Sequence, residues 1–190
     1  MIGNVVTGGQ LVELVKSKVI SISGFKEDRI QEVHYPLHVE SLHSICGRRD
    51  DGNPELDQVY HKMGKSGEFY RFSSMKHLIV QISELVVFPR GIVAQFVPPH
   101  KIIREGFSLQ AGRARAPFGE EGERLMFGVS NMLPVDNDFD CSAPVAYMYF
   151  FDVRGMKGVG GVDRSGYAQT KLFFESFMAR KVADDGPNYE

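Results

Sequence analysis

The chain has 190 residues, 43% of them hydrophobic and 24% charged, with a formal net charge of -2. That balance excludes a disordered chain and gives no electrostatic reason to expect DNA or RNA as a partner. Two distant cysteines, Cys46 and Cys141, argue against a zinc site or a disulfide framework, and no apolar run reaches the ~18 residues of a membrane helix. With no charged leader pattern in the first nine residues, the expectation is a cytoplasmic protein that meets no membrane.

Gln10 to Lys18 has the spacing of a short helix, with Leu11, Leu14 and Val15 on one face. Val19 to Ile22 alternates like a strand and stops at Gly24, and Glu27 to Gln31 reads as a loop. Leu37 to Ile45 is expected to be a strand. The polar run from Gly47 to Gly67 predicts a long surface excursion. Glu68 to Phe72 is a short strand, Leu78 to Phe88 carries the strongest β pattern, and Pro89-Arg90-Gly91 turns the chain into a strand at Ile92 to Val97. Phe107 to Gln110, Arg124 to Ser130 and Val145 to Val153 are further strands, separated by turns at Gly119 to Gly122 and Asp136 to Asp140. Gly155 to Gly161 reads as a hinge. Tyr167 to Val182 returns to helical spacing with Phe173, Phe174, Phe177 and Met178 in a stripe. Short strands at this spacing predict an all-β barrel or sandwich.

Several clusters carry potential chemistry. His34, His38 and His43 sit in a strand pattern, where i and i+4 stand too far apart for one ion, so no metal site is expected. The glycines of GMKGVGG could cradle a phosphate, but match no phosphate-binding fingerprint and suit a hinge better. Glu120, Glu121 and Glu123 could supply a general base, although a glycine-flanked turn also accounts for them. Past Pro98-Pro99, the side chains of His100, Lys101 and Arg104 lie close in sequence. They form either a cationic group for a polyphosphate or a surface loop of mixed charge.

The order of segments resembles the dCTP deaminase and trimeric dUTPase superfamily from about Gln10 to Val153, nearer to the deaminase branch in length and opening helix. The opening GQLVELVKSK and VISISGF, then IQEVHYPLHVES, then GEFYRFSSMKHLIVQISELVVFPRGIVAQF follow the family's sequence of elements. PPHKIIREG takes the place of its R-S-S-x-x-R-x-G motif, and AGRARAPFGEEGERLMFGVSN that of its A-x-x-I-D-P-G-W-x-G segment and the strand ending in Asn. The resemblance implies a mainly β fold, a distorted barrel of the dUTPase-like β-clip type with a short N-terminal helix and a C-terminal helix. It divides the chain into a β domain over residues 1–154 and a hinge with a C-terminal helix or lid over 155–190, packed on the same domain or on a neighbouring subunit. It also implies a homotrimer with a nucleotide or nucleotide-derived ligand between subunits, and Mg as companion to any bound triphosphate.

Position by position, the family's catalytic groups fail to transfer. Arg104, Gly106 and Asn131 keep their type, and Tyr167 matches a lid tyrosine, so the expected ligand contacts are His100, Lys101, Arg104, Asn131 and Tyr167. The motif's first Arg and two Ser fall on Pro99, His100 and Lys101, the family aspartate on Pro117 or Arg115, and the deaminase glutamate on Gly128. Glycine cannot activate water or pass protons. The resemblance therefore implies a binding or sequestering protein. The alternatives are a deaminase or pyrophosphohydrolase with its carboxylates relocated to Glu120, Glu121 or Glu123, and a purely structural trimer.

Overall fold

The computed structural model describes residues 4–63, 67–114, 117–119 and 123–154. The expected hinge at 155–161, the helical pattern at 167–182, and Arg115, Glu120, Glu121 and Tyr167 lie outside them. After a short strand β1 (Asn4–Val5), the helix α1 (Gly8–Lys16) starts where Thr7 and Gln10 cap each other, the Gln10 side chain accepting from the Thr7 amide at 2.9 Å. Leu11, Val12 and Leu14 are its buried face, and the chain turns away through Lys18 at φ 60°.

Strands follow as β2 (Ser21–Ile22), β3 (His34–Arg48), β4 (Pro54–His61), β5 (Phe69–Phe72), β6 (His77–Ile82), β7 (Val86–Val87) and β8 (Ile92–Val97). A second helix, α2 (His100–Arg104), precedes β9 (Phe107–Gln110), β10 (Arg113–Ala114), β11 (Met126–Asn131), β12 (Asn137–Asp140) and β13 (Pro144–Asp152). The main sheet runs β10-β8-β13-β3-β6-β11-β9, with β1 added to β13 and β4 to β3. Two small ribbons, β12-β5 and β2-β7, stand beside it, and among the described residues every strand pairing is antiparallel.

The long strand β3 belongs to both halves of the sheet. It pairs with β13 up to His38 and with β6 from Val39, and irregular registers near both junctions let the sheet curl. The curl encloses one core in which Tyr35, Leu37, Leu42, Phe72, Leu78, Ile82, Phe88, Met148 and Phe150 are buried. Alternation along the strands sets this inside face: Ile92, Ala94 and Phe96 point in, while Val93, Gln95 and Val97 stay partly exposed.

Four local expectations are corrected. The excursion expected from Gly47 to Gly67 is largely a hairpin: β3 continues to Arg48, the Arg49 amide donates to the Asn53 carbonyl at 2.9 Å, and β4 returns along β3. The strand expected from Leu78 to Phe88 breaks between β6 and β7, where the carboxylate of Glu84 turns inward. The turn expected at Asp136 to Asp140 is mostly β12, paired to β5. The basic segment after Pro98-Pro99 is α2, a single helical turn begun by a proline that fixes φ at -58°.

Candidate functional site

The helix α2 brings His100, Lys101 and Arg104 together, but they differ in what they are free to do. Lys101 is committed within the chain. Its ammonium lies 2.6 Å from Asp140 at the end of β12 and 3.8 Å from Glu105 one turn on. The Asp140 bond is the largest influence holding the Lys101 ammonium above its usual pKa. Burial pushes the Asp140 carboxyl up, but Lys101 and the hydroxyl and amide of Ser142 outweigh it and bring it down to about 2. His100 and Arg104 are exposed, and among the described residues neither has a hydrogen-bond or ion-pair partner. Two cationic or polar groups of the three therefore face solvent.

Beside α2, the outward face of β6, β11 and β9 carries a polar strip. Gly128 of β11 stands opposite Ile79 and Gln110, and Ser130 opposite His77 and Ser108. His77 Nδ1 lies 2.9 Å from the Ser130 hydroxyl, and the Gln110 amide donates to Ser108 at 3.1 Å and to Ser130 at 3.4 Å. These side chains close over the glycine: a Cβ at residue 128 would lie 2.7 Å from His77 Cε1 and 2.8 Å from Gln110 Oε1. None of the groups that close over Gly128 is a carboxylate. Around Gly128 the strip offers a ligand neutral donors and acceptors, and the carboxylate farther along, Glu40 of β3, is bonded to Gln81 and Arg124.

The strip and α2 are joined through Gly106. Its carbonyl accepts from the Met132 amide at 2.9 Å, and Leu133 covers its α-carbon. Asn131 is buried and fully used in this junction. Its amide donates to the carbonyls of Ser73 and Val135 at 3.0 and 2.8 Å, and its oxygen accepts from the Leu133 amide at 3.0 Å. Asn131 thus shapes the 132–135 turn from inside. Glu123 is likewise engaged, accepting from the Gly119 amide at 2.6 Å.

The three strand histidines each have a separate environment. His34 lies against Tyr147 and Tyr149, His38 bonds Glu84, and His43 bonds Ser41. Among the described residues no three His, Cys, Asp or Glu side chains gather to hold a metal, and no helix is long and apolar enough to cross a membrane. Sequence reasoning missed His77, Ser108, Gln110 and Ser130. The available signal was polar residues at alternate positions of otherwise apolar strands, but only the register shows that they meet.

No protein-family model matches the sequence, and no curated protein sequence matches it. Among solved structures, the chain is similar to the 2'-deoxycytidine 5'-triphosphate deaminase from Agrobacterium tumefaciens, with a TM-score of 0.56 at 10% identity over 80% of this chain and 49% of that one. The chain thus spans about half the length of that deaminase chain. A native EIAV dUTPase matches at a TM-score of 0.39 and 9% identity, over 64% of this chain and 97% of that one. The deaminase likeness establishes the fold, a mainly β, dUTPase-like distorted barrel with two short helices among the described residues.

Proposed function

We propose that the chain binds a nucleotide or nucleotide-derived anion on the strip around Gly128 and acts by binding or sequestering it, without deaminating or hydrolysing it. The observation that carries this reading is the composition of the strip: imidazole, hydroxyl and amide groups close over a glycine, with no carboxylate among them. Metal-free deamination at a cytosine ring needs a group to activate water and carry protons to the leaving amine, and His77, the group in the strip able to move a proton, is bonded through Nδ1 to Ser130. Attack on a phosphoanhydride needs a residue to orient water, and Gln110 is bonded to Ser108 and Ser130. Arg104 and His100 on α2, joined to the strip through Gly106, supply groups suited to phosphate oxygens.

The same reading favours a homotrimer. Met75, Ile103, Met132, Leu133 and Val135 are exposed large apolar side chains on α2 and the two loops beside it, a surface that a neighbouring copy would cover. The test is a titration of deoxynucleotides and ribonucleotides by calorimetry, with a product assay on the same panel and light scattering on the free protein. Saturable binding without product is the expected result. Turnover near ~10 per second with any nucleotide would overturn the reading in favour of a divergent deaminase or pyrophosphohydrolase.

A further inference from the structure

The outer face of the other half of the sheet is built differently from the strip. Arg113 stands opposite Gln95, Gln95 opposite Tyr149, and Tyr149 opposite His34, so one row crosses β10, β8, β13 and β3. The next row is Val97, Tyr147 and Pro36, and beyond it Val93, Phe151 and Val5. His34 lies with its ring centroid 4.2 Å from that of Tyr147 and 5.2 Å from that of Tyr149. Among the described residues, the Tyr147 and Tyr149 hydroxyls, the Gln95 amide and the Arg113 guanidinium have no hydrogen-bond partner. Aromatic and aliphatic groups with unused polar tips are what a docked protein segment selects. A single cation in the crossing row is too little for a nucleic-acid strand.

The chain itself supplies a segment of matching chemistry. Strand β13, which carries Tyr147, Tyr149 and Phe151, ends at Asp152, and the Val153 amide bonds the Gly91 carbonyl. Twelve residues, Gly155 to Gly166, then lead to the segment 167–182 that carries Phe173, Phe174, Phe177 and Met178. A glycine-rich linker of that length spans roughly 17–21 Å between its ends on average. From Arg154 back along β13 to Tyr149 is roughly 17 Å at the rise of a strand. A tether whose reach equals the span gives the highest effective concentration, on the order of millimolar, so even weak docking is populated.

We propose that residues 167–182 dock their Phe173, Phe174, Phe177 and Met178 stripe onto the Tyr147, Tyr149, Val93 and Val97 face of the same chain. The test is a spin label on the full chain with Met178→Cys and Cys46→Ser, since Cys46 is exposed and Cys141 is buried away from the reagent. Broadening of the resonances of Val93, Val97, Tyr147 and Tyr149, with His77 and Gln110 on the opposite half unaffected, is the expected result. The labelled chain with Phe173→Ala and Phe177→Ala leaves the β domain untouched and should restore those signals. Unbroadened Val93 and Tyr149, or broadening centred on His77 and Gln110, would overturn the proposal. Mixing labelled chains with isotope-enriched unlabelled ones should leave the enriched signals sharp. Broadening there would overturn docking within one chain and assign the stripe to a neighbouring copy.

Discussion

The ammonium of Lys101 and the carboxylate of Asp140, 2.6 Å apart, tie α2 to the end of β12. Asp140 also accepts from the Ser142 amide at 2.9 Å and hydroxyl at 2.5 Å and from the Ala143 amide at 3.2 Å, so one side chain anchors both a helix and a turn. Asp140→Ala should therefore lower stability by about 1–3 kcal/mol, the cost of leaving such donors unmet. Lys101→Ala should cost less, about 0.5–1 kcal/mol, because its side chain is 42% exposed. The Asp140 carboxyl sits at about 2 in the folded chain, below its usual 3.8. Its contribution is thus fully present above about pH 4 and fades as pH falls toward 2. Urea unfolding from pH 6 to pH 2.5 should show that loss in the wild type and not in Asp140→Asn.

The pairing also separates two ligand predictions. Arg104, exposed and without an ion-pair partner among the described residues, is the cation available to a bound phosphate. A charge-assisted contact of ~1.5–3 kcal/mol corresponds to a ten- to hundredfold loss of affinity in Arg104→Ala, with the melting temperature unchanged. Lys101→Ala should show the reverse pattern, a lower melting temperature and a smaller, more salt-dependent change in affinity. Calorimetric titration and thermal unfolding of the two variants check both. An Arg104→Ala protein that melts earlier yet binds normally would assign Arg104 to the loop alone.

Much of the β architecture was legible because strands with one buried face alternate, as His77 to Ile82 and Ile92 to Val97 do. The strand β4 was not, since almost none of Pro54 to His61 is buried and no alternation marks it. The break at Glu84 was hidden inside a continuous apolar run, where one charged residue says nothing about the side it turns to. For the candidate site, position in the motif pointed to Arg104 and Gly128. It could not reveal that Asn131 is spent on a turn, that Lys101 is spent on Asp140, or that His77 and Gln110 flank Gly128. Those facts depend on strand register, which sets neighbours far apart in sequence.

Two glycines should respond oppositely to alanine. At Gly119, φ is 82° and a Cβ would lie 2.1 Å from the Val86 carbonyl oxygen, so backbone must move and the left-handed conformation is strained. Gly119→Ala should cost about 3 kcal/mol or more. At Gly128 the two nearest atoms are the far ends of His77 and Gln110, which can swing away, Gln110 Cβ at 3.2 Å has to yield by a few tenths of an ångström, and alanine restricts the unfolded chain. Gly128→Ala should change stability by less than ~1 kcal/mol while disturbing the strip, so ligand affinity should fall with little change in melting. Denaturation and titration of both variants distinguish a structural glycine from one that shapes a site.

The remaining prediction concerns Glu84, 5% exposed at the break between β6 and β7. Its carboxylate accepts from the His38 amide at 2.9 Å, from His38 Nδ1 at 2.7 Å and from the Ser83 hydroxyl at 2.9 Å. An ionised carboxylate only accepts, so Nδ1 carries the proton in this bond. Burial pushes the Glu84 carboxyl up, but the bonds from His38 and Ser83 prevail and hold it below its usual 4.5. A group depressed on folding stabilises above its unfolded value and loses that contribution as pH falls through its folded value. Glu84→Ala should be the costly change, about 3–5 kcal/mol, because it strands both His38 donors beside the core. Glu84→Gln keeps the shape and one acceptor, and should cost about 1.5–3 kcal/mol at neutral pH. The difference between wild type and Glu84→Gln should narrow steadily as pH falls below 4.5. A gap that stayed constant down to pH 3 would mean that the carboxylate charge contributes nothing, and that the fold is held at this point by packing alone.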